Sequence, residues 1–376
     1  MEIEIFAKTM AEICAHSLAA PGRRLEYTII VNPCAGGFTI RKRWKKHHAI
    51  LEEYRKKAQA NPLRGDTRPS AAAKEGKIGA KSFPEYGTVL TGKSGHAKEI
   101  AKAVIDSALA SRESNPPFQL IICAGGDGTS WEVLSALHDA PARFLSSAAV
   151  IRLPLGTGND GADAPSLDGA LDLLIKSVYV EYTPALRLYT KQSGPASSKG
   201  QFLAFNILSV GLDAFVTHMT NKMKGKLPGD SYKLWVDIAA LFYDRVYKVD
   251  YMEVKSFDEH GKEVNSFREK LLLIAVGASG HRTYGSGNKI LPDDRNVCAV
   301  KQMSMFRKIA LKDLFGTGEH ISKPESILFT ARRVEFSAMY PLLAQMDGEA
   351  VLLEREDFPA AIELTAPLIP LLKTQE

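Results

Sequence analysis

Two short stretches concentrate glycines, small polar side chains and acids: Gly125-Gly126-Asp127-Gly128-Thr129 and Gly156-Thr157-Gly158-Asn159-Asp160. Each follows an apolar run, "QLIICA" in the first case and "AAVIRLPL" in the second. Glycines at a strand end open backbone conformations closed to other residues, and they let N–H groups approach a ligand closely. The N-terminus of a following helix adds more N–H groups and the positive end of its dipole, which suits phosphate. A lone carboxylate in such a loop repels an anion. Asp127 makes sense if a divalent cation bridges it to phosphate oxygens. The plainer reading is a tight strand-to-helix turn with an Asp or Thr cap.

Other residues have the same texture. "VNPCAGG", 31–37, and "TGKSGH", 91–96, are further glycine-bearing turns after apolar runs. Near the C-terminus, "MDGEAV", 346–351, sets Asp347 and Glu349 around Gly348. Residues two apart in a strand share a face, so the two acids can look one way. Such a pair can supply a proton acceptor working near neutral pH. An ordinary hairpin tip with solvated acids is the alternative. The nine histidines show no H-E-x-x-H spacing and the four cysteines no C-x-x-C pair. His96 is expected to orient its loop. The basic stretch "RKRWKKHH", 41–48, reads as a solvated helix face, or more sharply as a contact for anionic lipid headgroups.

The elements that must position these residues can be read from pattern. "YTIIV", 27–31, is a β-branched strand leading into "NPCAGG", and a helix is expected from about Ile40 to Lys57. "GTVLTGKSGHAKEIAKAVIDSALASR" reads as strand, glycine loop and helix; "FQLIICA" and "AAVIRLPLG" are two more strands. Strands alternating with helices predict an α/β domain with a mainly parallel sheet. Open sheets of this kind bind ligands at the carboxyl ends of their strands, so four such turns can converge on one crevice. Residues 58–83 hold almost no large apolar side chain and read as a flexible insertion whose removal should leave stability unchanged. From about residue 184 strand-like segments dominate, with clear helices expected only in "SYKLWVDIAALFYDRV" and "RKIALKDLFGTG". No fixed-period repeat is present.

Bulk composition bounds the rest. The chain has 376 residues, 45% hydrophobic and 24% charged, which favours two domains. A formal charge of +5 is mildly basic and far from a nucleic-acid-binding composition. Cys14, Cys34, Cys123 and Cys298 are expected as reduced thiols. The N-terminus lacks the basic and apolar regions of a signal peptide, and the apolar run 271–278 falls far short of the roughly 20 residues that span a bilayer. A cytoplasmic protein, at most peripheral at a membrane surface, is expected.

The set "VNPCAGG", "TGKSGHAKEIA", "GGDGTSWEVL" and "LPLGTGND" resembles, in order, the motifs of the diacylglycerol kinase catalytic-domain family. That family includes diacylglycerol, sphingosine and ceramide kinases and bacterial soluble lipid kinases. "FNILSVGLDAFV", "YGSGNKILPDD" and "MDGEAV" resemble its later motifs, so the likeness covers roughly residues 25–355. The resemblance implies a nucleotide-binding α/β domain at 25–183, with the insertion at 58–83. A β-rich, sandwich-like lipid-substrate domain follows at 184–356. The tail 357–376 is expected to dock on the first domain. It implies an ATP-dependent lipid kinase using Mg2+, with the nucleotide in an interdomain cleft and no nucleic-acid partner. A homodimer is left open. Asn32, Gly36, Thr91, Gly125, Gly126, Gly128, Thr129, Gly156, Thr157, Asn159 and Asp160 would bind nucleotide. Asp127 would act through magnesium, and Asp347 or Glu349 would take the proton.

Two departures stand out. Trp131 occupies a position where the family often has Asn, although Glu132 is kept. After "ILPDD" the chain reads Arg295-Asn296-Val297 instead of Asp-Gly-Leu, so the structural metal of some bacterial relatives is not expected. An NAD kinase-like enzyme shares the Gly-Gly-Asp-Gly turn but not "LPLGTGND". A catalytically inactive lipid-binding or regulatory protein on the same fold is the reading from another class.

Overall fold

The computed structural model describes residues 2–74, 82–192, 202–223, 241–284 and 287–374. Contacts divide it into two units: Met1–Thr183 together with Pro367–Glu376, and Pro184–Ala366.

The first unit is built on β1 (Leu25–Val31), β2 (Thr67–Pro69), β3 (Ser82–Phe83), β4 (Thr88–Leu90), β5 (Phe118–Gly125), β6 (Ala148–Pro154) and β7 (Tyr179–Thr183). β4, β1, β5 and β6 are parallel neighbours in that order. β1, β5 and β6 are buried along their whole length, as their continuous apolar runs require of strands covered on both faces. The helices are α1 (Glu2–Cys14), α2 (Gly36–Thr39), α3 (Arg41–Ala58), α4 (Ala71–Lys74), α5 (His96–Ala110), α6 (Asp127–His138), α7 (Ala142–Leu145) and α8 (Leu167–Lys176). Side chains of α1, α3 and α8 cover the sheet face that carries Tyr27, Ile29, Val31, Leu120 and Ile122. α1 was not foreseen, though Phe6, Met10 and Ile13 lie at helical spacing and are buried.

The C-terminal stretch divides. Ile369–Lys373 is a strand of the first sheet, antiparallel to β7 and beside β6, while residues before Pro367 belong to the second unit.

The supposed insertion is corrected for its described part. β2 pairs in parallel with Leu25, Glu26 and Tyr27 of β1, the part of that strand's edge that β4 leaves bare. Ser70 is buried and its N–H donates to the Tyr27 carbonyl at 3.0 Å. Asn61 Nδ2 donates to the Ile175 carbonyl at 2.7 Å. The segment is held by backbone pairing rather than by large side chains, so composition hid its role; residues 75–81 lie outside the described ones. Deleting 60–80 is therefore expected to destabilise the first domain by at least about 3 kcal/mol, since each buried backbone group left unpaired costs about 1–3 kcal/mol. Urea unfolding checks this: an unchanged midpoint would mean that β2 adds nothing to the sheet.

The second unit contains β8 (Leu186–Tyr189), β9 (Phe202–Ala204), β10 (Ile207–Gly211), β11 (Tyr251–Phe257), β12 (Glu263–Gly277), β13 (Arg282–Tyr284), β14 (Asn288–Leu291), β15 (Val297–Lys301), β16 (Ser326–Phe329), β17 (Arg333–Ser337), β18 (Leu342–Met346), β19 (Glu349–Leu353) and β20 (Ala360–Leu364). The pairing is antiparallel and sandwich-like, organised by β12. Its first half alternates toward solvent and pairs with β11. Its second half, Leu271–Gly277, is buried throughout and pairs with β10 and β15. The sequence shows this switch as "NSFREK" giving way to "LLLIAVG". α9 (Leu212–Met223) follows β10, so "FNILSVGLDAFV" is strand and then helix. Of the helix expected over 231–246, only α10 (Tyr243–Val246) falls among the described residues; α11 spans Met305–Thr317.

Candidate active site

The register of the first sheet brings four turns to one edge. Leu90 pairs with Val31, Val31 with Ala124, and Ala124 with Leu153. These four residues form one row across β4, β1, β5 and β6. The chain leaves that row at Thr91, Asn32, Gly125 and Pro154.

The turns bind one another. Asn32 Nδ2 donates to Thr129 Oγ1 at 3.2 Å, and the Gly37 N–H donates to the Leu155 carbonyl at 2.8 Å. The Leu155 N–H donates to the Gly125 carbonyl at 3.1 Å. Thr91 N–H donates to the Val31 carbonyl at 2.8 Å. Glu132 of α6 accepts from the N–H groups of Gly95 and Ala97 at 2.7 and 2.9 Å and so caps α5. His96 Nδ1 accepts the Gly92 N–H at 2.9 Å.

Glycine is required where the third and fourth turns touch. A Cβ on Gly156 would lie 2.4 Å from the Gly126 Cα and 2.7 Å from the Gly158 carbonyl oxygen. A Cβ on Gly36 would lie 3.1 Å from Thr157 Oγ1. Gly128, in contrast, has nothing within 4 Å of its Cβ position. Gly156→Ala is expected to push the two turns apart, costing about 1–3 kcal/mol as overpacking does and weakening nucleotide binding at least tenfold. Gly128→Ala, in the first turn of α6, should leave stability unchanged or raised by up to about 1 kcal/mol. Equal thermal shifts and equal nucleotide affinities in the two variants would contradict this geometry.

Asp127 opens α6. Its Oδ1 accepts the Gly161 N–H at 3.1 Å, and its Oδ2 lies 3.0 Å from the Cβ position of Gly158. The carboxylate therefore spans from the third turn to the fourth. Asn159 Oδ1 accepts the Gly156 N–H at 2.8 Å and shapes its own turn. Asp160 is half-buried in the same loop and Thr157 is exposed. A glycine-lined cradle with helix N–H groups and two half-buried carboxylates, Asp127 and Asp160, fits a nucleotide phosphate group and a magnesium ion. Among the described residues no group of three or more His, Cys, Asp or Glu side chains could hold a metal.

Three features escaped the reading by pattern. Arg43, inside the basic stretch, turns to the site: its Nη1 donates to the Gly156 carbonyl at 3.3 Å. Trp44 is buried on the other side of α3, while Arg41, Lys42, Lys45 and Lys46 are exposed. Arg152 and Asp163 form a buried ion pair at 2.7 Å, with side chains 4% and 0% exposed, that ties the far end of the fourth turn to β6. An arginine within an apolar strand implied such a partner. Cys123 lies one row before the third turn, and burial pushes its thiol up to about 12, so it is no nucleophile.

The acids of the second unit part company. Asp347 and Gly348 both have positive φ, 47° and 101°, and form the two-residue turn between β18 and β19. The Asp347 carboxylate accepts the N–H groups of Asn206 and Ile207, each at 3.0 Å, and that of Phe205. Glu349 is the exposed first residue of β19, paired with Met346. The two acids do not face one way as the strand pattern suggested, because Asp347 sits in the turn and not in a strand. Below the turn, Gly348 N–H donates to Gln345 Oε1 at 3.1 Å, and Gln345 Nε2 donates to Ser209 Oγ at 3.0 Å and Asp213 Oδ2 at 3.1 Å. In the departing segment, Arg295 forks onto Asp293 and holds its carboxyl below the usual range, and Asn296 is buried, bonded to Ala331 in both directions.

Comparison with known proteins bears on the family and the fold. Residues 26–184 match the family model of the diacylglycerol kinase catalytic domain. Residues 206–367 match that of the YegS C-terminal NAD kinase beta sandwich-like domain. A probable lipid kinase YegS-like protein of Pectobacterium atrosepticum is 25% identical over 282 residues, 71% of this chain and 83% of that protein. The putative lipid kinase YtlR of Bacillus subtilis is 26% identical over 274 residues, 70% of this chain and 83% of that one. A crystal structure of a putative diacylglycerol kinase from Bacillus anthracis matches with a TM-score of 0.57 at 19% identity, covering 95% of this chain and 97% of that one.

Proposed function

Because the chain belongs to the diacylglycerol kinase catalytic-domain family and is a lipid kinase, we propose that it transfers the γ-phosphate of ATP to a lipid hydroxyl of diacylglycerol or sphingoid type. The observation that carries this reading is the row Leu90, Val31, Ala124 and Leu153, from which four mutually bonded turns leave adjacent parallel strands.

Each residue then has a part. The backbone at Gly36, Gly125, Gly126, Gly128 and Gly156 cradles the phosphates, with Asn32, Thr91, Thr129, Thr157, Asn159 and Asp160 around them. Arg43 adds a positive charge at the same turns. Asp127 would hold Mg2+, which when bound would offset the charge of the triphosphate. The acceptor oxygen forms its bond to the γ-phosphorus as the bond to the β-γ bridging oxygen breaks. Its proton passes to Glu349, while Asp347 holds the turn that presents Glu349. We further propose that the enzyme works in the cytoplasm at a membrane surface. No helix among the described residues is long and apolar enough to cross a membrane.

The test is transfer from labelled ATP, with magnesium, to a panel of diacylglycerol, sphingosine, ceramide and NAD. Phosphate on diacylglycerol or a sphingoid base supports the reading. Transfer to NAD alone would sink it, and no transfer at all would favour the inactive binding protein that Trp131 and Arg295-Asn296-Val297 suggest.

A further inference from the structure

The second domain carries an unusual cluster of exposed apolar side chains. Phe306 is 79% exposed, and Ile309 and Met305 share its face at the N-terminal end of α11. The neighbouring α10 segment exposes Val246, at 66%, and Phe242. Lys308 joins the two, with Nζ 2.8 Å from Asp244 Oδ1 and 3.4 Å from the Leu241 carbonyl. Lys248, bonded to Tyr340, brings in a sixth exposed residue, Met339. Isolated apolar residues on a surface need no explanation, but several on elements that touch one another mark an interaction site.

The exposed cations of this set lie beside its apolar side chains. Arg245 is exposed and lies 5.2 Å over the Phe242 ring, and Lys248 is exposed beside it. Two of the acids nearby are paired, Asp244 with Lys308 and Glu325 with Arg307 at 2.6 Å; Asp250, which accepts the Tyr251 N–H, keeps its charge near Lys248. Asp313 is exposed on α11, but it lies seven residues beyond Phe306, about 10 Å along the helix at 1.5 Å per residue.

We propose that the second domain docks on an anionic lipid bilayer through this tip, with Phe306, Ile309 and Met305 entering the headgroup boundary and Arg245 and Lys248 meeting lipid phosphates. Interfacial helices bind in this way, by a small apolar face plus cationic attraction, and each basic residue near an anionic surface adds to the attraction. A second copy of the chain is the poorer occupant. A two-fold contact would bring the cations of two copies, Arg245 and Lys248 of each, into one interface. The choice of a bilayer rests on the lipid-kinase reading, since the acceptor of such an enzyme resides there. It also differs from the sequence-based expectation, which looked to the basic stretch 41–48.

The test uses the full chain without ATP. Sedimentation is measured with vesicles of phosphatidylcholine alone and of phosphatidylcholine containing one-third phosphatidylglycerol. The wild type should bind the anionic vesicles at least tenfold more tightly. The double variant Phe306→Glu, Ile309→Glu should lose at least tenfold of that binding while keeping its unfolding midpoint and its turnover on a short-chain, water-soluble diacylglycerol. Equal binding by the two proteins, or none by the wild type, overturns the proposal. So does light scattering that shows a wild-type dimer broken by the double variant, which would make the patch a subunit interface. Loss of turnover on the soluble substrate would overturn it too, by placing the patch in the acceptor pocket. A wild type that binds vesicles yet phosphorylates none of the lipids tested leaves the docking surface standing and removes the kinase reading instead.

Discussion

Asp127→Asn is expected to lower phosphoryl transfer by about 10^2 to 10^3 or more while leaving the first domain folded. The size follows from what one preorganised electrostatic group contributes to a transition state, about 3–4 kcal/mol. Asn is the better test than Ala, because Asp127 Oδ1 also accepts the Gly161 N–H at 3.1 Å and thereby holds the fourth turn. An amide oxygen can still accept that bond; it cannot hold magnesium with a full negative charge. The charge sits in the first turn of α6, where the helix dipole favours an anion by about 0.3–1 kcal/mol, so the stability change should stay within about 1 kcal/mol. Turnover and urea unfolding should be measured on the same preparation. Near-normal turnover in the folded variant would remove Asp127 from the chemistry, and a large drop in stability would recast it as a turn anchor.

Much of the first domain was legible because each glycine turn follows an apolar run long enough to mark its strand. What pattern could not supply was register. That Leu90, Val31, Ala124 and Leu153 stand in one row depends on backbone pairing between distant segments. The same limit hid β2, whose short Thr-Arg-Pro sequence carries no strand signal and whose role is only to cover the edge of Leu25–Tyr27. Arg43 was visible as one cation among many, and nothing local says that it alone turns toward Gly156. Arg152 was different: a charge in the run "AAVIRLPL" demanded a buried partner, and Asp163 is the acid that meets it. In the second domain the motif "MDGEAV" was found but its geometry was misjudged. Two acids two residues apart share a face only in an extended strand, and Asp-Gly is also the sequence that favours a two-residue hairpin turn.

That turn makes the expected effects of Asp347 and Glu349 differ in kind. Asp347 has φ 47°, a left-handed conformation that Asp and Asn tolerate and that costs other residues about 1–2 kcal/mol. Its carboxylate also serves the N–H groups of Asn206 and Ile207 at 3.0 Å. Asp347→Ala should therefore destabilise the second domain by about 3–5 kcal/mol, adding that strain to the cost of donors left unpaired, about 1–3 kcal/mol each. Asp347→Asn keeps the left-handed tolerance and one acceptor oxygen, so it should recover a large part of the loss. Glu349 is exposed on β19, and Glu349→Gln should change stability by no more than about 0.5 kcal/mol. If Glu349 takes the lipid hydroxyl's proton, Glu349→Gln loses turnover by about 10^2 to 10^4 while ATP affinity holds. Asp347→Asn, in contrast, should lose turnover only as far as the turn loosens, and lowering the temperature should restore it in part. Full turnover in Glu349→Gln would place the proton acceptor elsewhere, with Asp127 the first group to examine. A temperature-independent loss confined to Asp347→Asn would exchange the two roles.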